Sequence, residues 1–175
     1  MAHGGSRNGS GRKRKPLAEK LLENKGRRPI KYIPNEAMSD IEVAEVPEPS
    51  EWLADPTKNT QRDSVATKVY QATWRWIKER RCDHLITQIQ IEQYAASVAR
   101  YIQAEEGLSA FGLLAKHPTT NMPIASPYVA MSEKFLKRAN QLWAQIFQIV
   151  QQNCEVPVGG SGQKDIMDMI LDGEI

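Results

Sequence analysis

The side chains of this 175-residue protein best suited to chemistry are cationic, and they crowd one end of it. Arg7, Arg12, Lys13, Arg14, Lys15, Lys20, Lys25, Arg27, Arg28 and Lys31 are opposed only by Glu19 and Glu23, so residues 1–31 carry a net charge of +8. Cations at that density suit phosphate, because each Lys or Arg that meets a nucleic-acid backbone releases a condensed counterion whatever the base sequence. The GRKRK and KGRRPIK clusters make Arg7, Arg12, Lys13, Arg14, Lys15, Arg27, Arg28 and Lys31 the candidate DNA-binding residues. The sign then reverses. Residues 32–56 hold seven carboxylates and no base, residues 57–154 return to +5, and residues 155–175 end at −4, which hides the segregation inside a total of only +2.

Nothing else in the chain has the spacing of a reactive site. No nucleophile elbow, paired-carboxylate motif or H-E-x-x-H is present, so no catalytic residue and no enzyme activity is expected. Apart from His3, the soft metal ligands are Cys82, His84, His117 and Cys154, and the one close set, Cys-Asp-His, lacks zinc-finger spacing. Neither a metal nor a cofactor is expected. VGGSGQKD has the glycines of a phosphate loop but not its G-K-[ST] ending, with Asp165 where the hydroxyl should stand. Two cysteines far apart do not make a disulfide framework, and both are read as reduced thiols.

These charges must be positioned by a modest core. Hydrophobic residues make up 41% of the chain, and the mean hydropathy of −0.52 with no long apolar run argues for a soluble protein without a membrane span. The basic N-terminus has no apolar stretch behind it, so it is not a secretory signal and a cytoplasmic location is expected. Residues 1–15 are too polar to order themselves and form a disordered basic arm. Within residues 16–56, Pro16 opens a short helix that carries Leu17, Leu21 and Leu22 on one face and ends at Gly26, before an acidic Pro-rich linker. Only Trp52 and Leu53 look able to anchor that linker.

Residues 57–153 are helical by pattern. Val65, Val69, Ala72 and Trp76 form one seam of a helix ending near Arg81. Thr87 with Gln90 reads as a capping box for a second helix, stopped by Gly107. After a long connection over 107–126, Ser126 and Pro127 open the longest helix, to about Asn153. Its apolar side chains fill roughly 160°, wider than the ~100° stripe of a surface helix, so one antiparallel neighbour would not cover them. That excess predicts self-association, with Trp74, Trp143, Phe147 and Val150 as interface candidates. Lys134, Lys137 and Arg138 fall on the opposite side, toward solvent or a polyanion. Residues 154–175 read as a glycine-rich flexible spacer and an acidic amphipathic tail, whose Ile166, Met169 and Ile170 are anchors for a partner groove flanked by Asp165, Asp168 and Asp172.

The order of these motifs resembles the small terminase subunit of tailed bacteriophages, in particular the P27-type family. GRKRKPLAEKLLENKGRRPI is similar to that family's basic start, short K-L-L-E-x-N helix and G-[KR]-R-P exit. VPEPSEWL is similar to its acidic P-x-P-x-W-L lead-in, and NMPIASPYVAMSEKFLKRANQLWAQIF to its loop asparagine, turn and long terminal helix. The chain departs in having Ser126 where Asn is usual and in ending on EVPVGGSGQKDIMDMILDGEI in place of a short G-[LI]-[ST]-P-x-x-R. The resemblance implies an all-α fold, with a short N-terminal helix and a helical hairpin plus long C-terminal helix, assembling into an oligomeric ring. It also implies a non-catalytic packaging adaptor in the host cytoplasm, whose partners are double-stranded viral DNA, the large terminase subunit and further copies of itself in a closed ring, for which the resemblance implies roughly seven to ten subunits. The competing classes are a helical nucleic-acid-binding scaffold or transcriptional regulator acting as a dimer, and an RNA-binding accessory protein.

Overall fold

A computed structural model describes residues 14–24, 46–54, 60–154, 162–164 and 166, and within these the chain is all-α with one small hairpin. Helix α1 spans Leu17–Asn24, α2 Glu51–Ala54, α3 Thr60–Glu79, α4 Gln88–Phe111 and α5 Pro127–Asn153. Strands β1 (Leu114–Lys116) and β2 (Pro123–Ala125) pair antiparallel between α4 and α5. The capping box forms as the spacing predicts: the Gln90 Oε1 accepts from the Thr87 N–H at 3.2 Å and its hydroxyl at 3.0 Å. Ser126 in extended geometry and Pro127 at the first turn open α5.

Helix α4 runs through Gly107 and ends at Phe111, four residues later than the sequence suggested. The glycine has a packing role there. A Cβ at Gly107 would lie 2.9 Å from the Tyr128 ring, so the missing side chain lets α5 start close against α4. The stop belongs to Gly112, whose φ of +81° favours glycine. The long connection is the β-hairpin, tied at its base by Ser126 N–H to the Leu113 carbonyl at 2.8 Å and at its tip by His117 N–H to the Met122 carbonyl at 2.9 Å.

Helix α4 packs along α3 and, antiparallel through the hairpin, along α5. Helices α3 and α5 meet through rings. Trp76 lies 5.1 Å from Trp143 and 6.4 Å from Phe147 by centroids, while Tyr94 of α4 reaches Trp143 at 5.4 Å. Around this aromatic centre lie Val69, Ala72, Ile77, Ile91, Ala95, Ala139, Ile146 and Val150, all buried. Leu17 and Ala18 of α1 are buried too, with α1 set against α5.

The expected interface residues are therefore largely committed inside the chain. Trp74, Trp143 and Val150 are buried in its own core and Phe147 is half-buried against it. The over-wide arc of α5 is covered in its centre by both α3 and α4, which a single antiparallel neighbour could not do. Only its flanks stay open, at Met131 (49% exposed) and Leu136 (41%). Trp143→Ala removes a buried indole and should cost about 3–5 kcal/mol of stability in urea unfolding. A cost under about 1 kcal/mol, with a lowered oligomer mass, would return Trp143 to an interface.

Candidate nucleic-acid and partner interface

Of the eight candidate DNA-binding residues, Arg7, Arg12, Lys13, Arg27, Arg28 and Lys31 lie outside the described residues. Arg14 is exposed just before α1. Lys15 reaches along α1 to Glu19 at 3.2 Å and to Glu23, and those two carboxylates raise its ammonium above its ordinary value. This links the arm to α1 and keeps Lys15 charged. The second cationic surface is Lys134, Lys137 and Arg138, all exposed on the outer face of α5. Three cations within five residues of one helix give a short positive stripe, and Lys137 borders an open groove formed with Glu133, Leu136, Asn140, Gln141 and Ala144.

The apolar surface is concentrated at the hairpin end. Phe111 (71% exposed), Leu113 (66%), Leu114 (69%) and Met122 (68%) surround it, with Ile124 and Met131 nearby in sequence. Phe111 stacks on Tyr128 at 5.8 Å and 9°, which holds one ring of this set at the junction of α4 and α5. Large apolar side chains clustered and open to water mark a contact surface.

Of the tail residues expected to dock a partner, Asp165, Asp168, Met169, Ile170 and Asp172 lie outside the described residues. Ile166 is described, and the structure finds it in the core at 1% exposure instead of free on a tail. The reason is a shelf of aromatic carbon that the sequence pattern could not reveal. Gly162 sits so close to Trp76 and Trp143 that a Cβ would fall 2.5 Å and 3.0 Å from their rings.

Sequence reasoning missed Glu92, a carboxylate buried on α4. Its Oε1 accepts the Ser50 N–H at 2.8 Å and the Gln88 Nε2 at 2.9 Å, and Gln88 also donates to the Glu48 carbonyl at 3.0 Å. The end of the acidic linker is thereby pinned to α4, with Leu53 buried and Trp52 half-exposed. Burial alone would raise the Glu92 carboxyl, but the hydrogen bonds from Ser50, Gln88 and Trp52 outweigh it and hold the group below its ordinary value. A lone Glu on a helix pattern with Ile91 and Tyr94 beside it was the available signal.

The two thiols are free and buried. Burial, with Cys154 and Asp83 nearby, pushes Cys82 up to about 12, so it remains a thiol, donating to the Arg80 carbonyl at 3.3 Å. A thiol so held is a poor nucleophile and metal ligand. Among the described residues no cluster of three metal-ligating side chains occurs, and no helix is long and apolar enough to cross a membrane.

Helices α3, α4 and α5 thus form one body with an apolar tip and a basic helix face, against which the segments around Ser50 and Gly162 are held. Residues 66–147, which run from α3 into α5, match the model of the family described as phage terminase, small subunit. The P27-type subdivision is not distinguished by that match. Neither the curated proteins nor the solved structures contain a significant match.

Glu92→Ala leaves the Ser50 N–H and Gln88 amide without their shared acceptor and should cost about 1–3 kcal/mol near neutral pH. Because the folded carboxyl lies below its unfolded value, its stabilisation is present above about pH 4.5 and is lost as pH falls through the folded value. The acid limb of the stability profile should accordingly be shallower in Glu92→Ala. An unchanged limb would show that Glu92 does not hold the linker.

Proposed function

We propose that the protein is the small subunit of a phage DNA-packaging machine: a non-catalytic adaptor that assembles into a ring, binds double-stranded DNA and recruits the large subunit that carries the ATPase and nuclease. The observation that carries this reading is the family match, which falls on the α3, α4 and α5 segments that build the core. The charge layout supports the DNA role. A +8 arm supplies phosphate contacts through Arg7, Arg12, Lys13, Arg14, Lys15, Arg27, Arg28 and Lys31, and the Lys134, Lys137 and Arg138 stripe adds a second surface.

Self-association is assigned to the open apolar set, not to the buried tryptophans. Phe111, Leu113, Leu114 and Met122 at the hairpin, with Met131 and Leu136 on the flanks of α5, offer the surface that a neighbouring copy would cover. Burying a large apolar side chain is worth about 1.5–3 kcal/mol, and a ring repeats that gain at every interface. The tail supplies the large-subunit contact through Asp165, Ile166, Asp168, Met169, Ile170 and Asp172, and several copies per ring raise the effective concentration of a weak motif.

Deleting residues 1–15 removes five of the eight cations proposed to meet phosphate. Affinity for double-stranded DNA should fall similarly on all sequences, and the slope of log affinity against log salt should flatten by about 0.9 for each phosphate that is no longer neutralised. An unchanged slope would move the DNA surface to Lys134, Lys137 and Arg138.

A further inference from the structure

The C-terminal segment is the one part of the proposed machinery that the structure shows already engaged. Gly162 is seated on the Trp76 and Trp143 rings, and its φ of +69° together with the 2.5 Å approach to Trp76 leaves no place for a side chain. Gln163 hydrogen-bonds the Tyr94 side chain and lies 3.4 Å from the Asn140 Oδ1. The Ile166 N–H bonds the Gly162 carbonyl at 3.3 Å, closing one helical turn that delivers the Ile166 side chain to the core at 1% exposure. Side chains of α3, α4 and α5 thus converge on Gly162, Gln163 and Ile166.

The intervening sequence is long enough for this return. Trp143 lies eleven residues before Cys154, about 16 Å back along α5 at the helical rise. The eight residues from Cys154 to Gly162 reach up to about 26–29 Å when extended. Pro157 and the glycines at 159 and 160 suit a connection that reverses direction.

We infer that Gly162–Ile166 is a latch: the aromatic shelf of Trp76, Trp143 and Tyr94 holds the C-terminal tail against its own helical body, and the tail must leave this shelf before Ile166 can engage the large subunit. This rests on the proposed use of the tail for docking. The latch follows from one anchor having two claimants, since an Ile166 side chain buried in cis is unavailable in trans. Binding of the large subunit is then coupled to exposure of Trp76 and Trp143, and any group that loosens the latch raises the affinity of the tail by the factor by which it raises the released population. Gly162 is the position at which the two claims separate, because it touches the shelf and is not one of the docking anchors.

The test compares the wild-type chain, Gly162→Ala and a truncation after Cys154, using hydrogen exchange of the Ile166 amide, tryptophan fluorescence and binding to the large terminase subunit of the same phage. Far-UV circular dichroism reports whether the helices persist. In Gly162→Ala the Ile166 amide should exchange at least tenfold faster, the tryptophan emission should shift to the red, and the large subunit should bind at least fivefold more tightly. Truncation should abolish that binding. Unchanged exchange in Gly162→Ala, or faster exchange with unchanged or weaker binding while truncation still abolishes it, overturns the latch. If truncation leaves binding intact, the docking role of the tail fails, and the regulatory inference fails with it, while exchange still shows whether the segment is held. Should Gly162→Ala lose helix, the wild-type chain decides: adding the large subunit must speed Ile166 exchange and red-shift the tryptophans if the tail leaves the shelf, and protection that stays the same contradicts it.

Discussion

Trp76 and Trp143 meet with their ring centroids 5.1 Å apart, and this contact joins α3 directly to α5. Helix α4 packs along both neighbours, and the rings add a direct contact between α3 and α5. Phe147 and Tyr94 extend the contact on either side, and aromatic pairs of this kind add about 0.5–1.5 kcal/mol each beyond the area they bury. Arg80 closes one side, its guanidinium 4.2 Å from the Trp76 ring. The shelf for Gly162 is built from the same two indoles.

Placing the aromatics at the centre decides what is left for the surface. Trp74, Trp143 and Val150 are consumed by the fold, so in the proposed assembly contact with other copies would fall to side chains at the hairpin, where Leu113, Leu114 and Met122 are exposed. A hairpin of three-residue strands cannot bury its own apolar face. The same economy holds for the linker, whose carboxylates are repelled from one another yet whose end is held by the buried Glu92 accepting from Ser50 and Gln88.

Local signals were the legible part of the sequence. Thr87 and Gln90, Ser126 and Pro127, and the Leu17 stripe each act within one helical turn, and the corresponding helices begin where those residues stand. Gly107 misled because a glycine in a helix and a glycine ending one look alike until the Tyr128 ring is in place. Trp143, which the sequence left open as core or as contact between chains, is buried in the chain's own core, where α3 and α4 both cover the centre of an arc too wide for one neighbour. Glu92 and Ile166 were unreadable in their roles, since each depends on partners distant in sequence, Ser50 lying 42 residues from Glu92 and the aromatic shelf of the Ile166 segment drawing on Trp76 and Trp143. The charge blocks that suggested DNA were plain from composition, and six of the eight candidate DNA-binding residues lie outside the described residues.

The central claim is that one helical body, closed around its tryptophans, presents the hairpin end to further copies of itself. Native mass spectrometry of the full chain and of a Leu114→Lys, Met122→Lys double variant tests it most directly. The account predicts a single closed species of roughly seven to ten subunits for the parent, and a monomer of unchanged thermal stability for the variant, since both side chains are two-thirds exposed and support no core. A parent that is monomeric or dimeric, or a variant that keeps the parental mass, would contradict it.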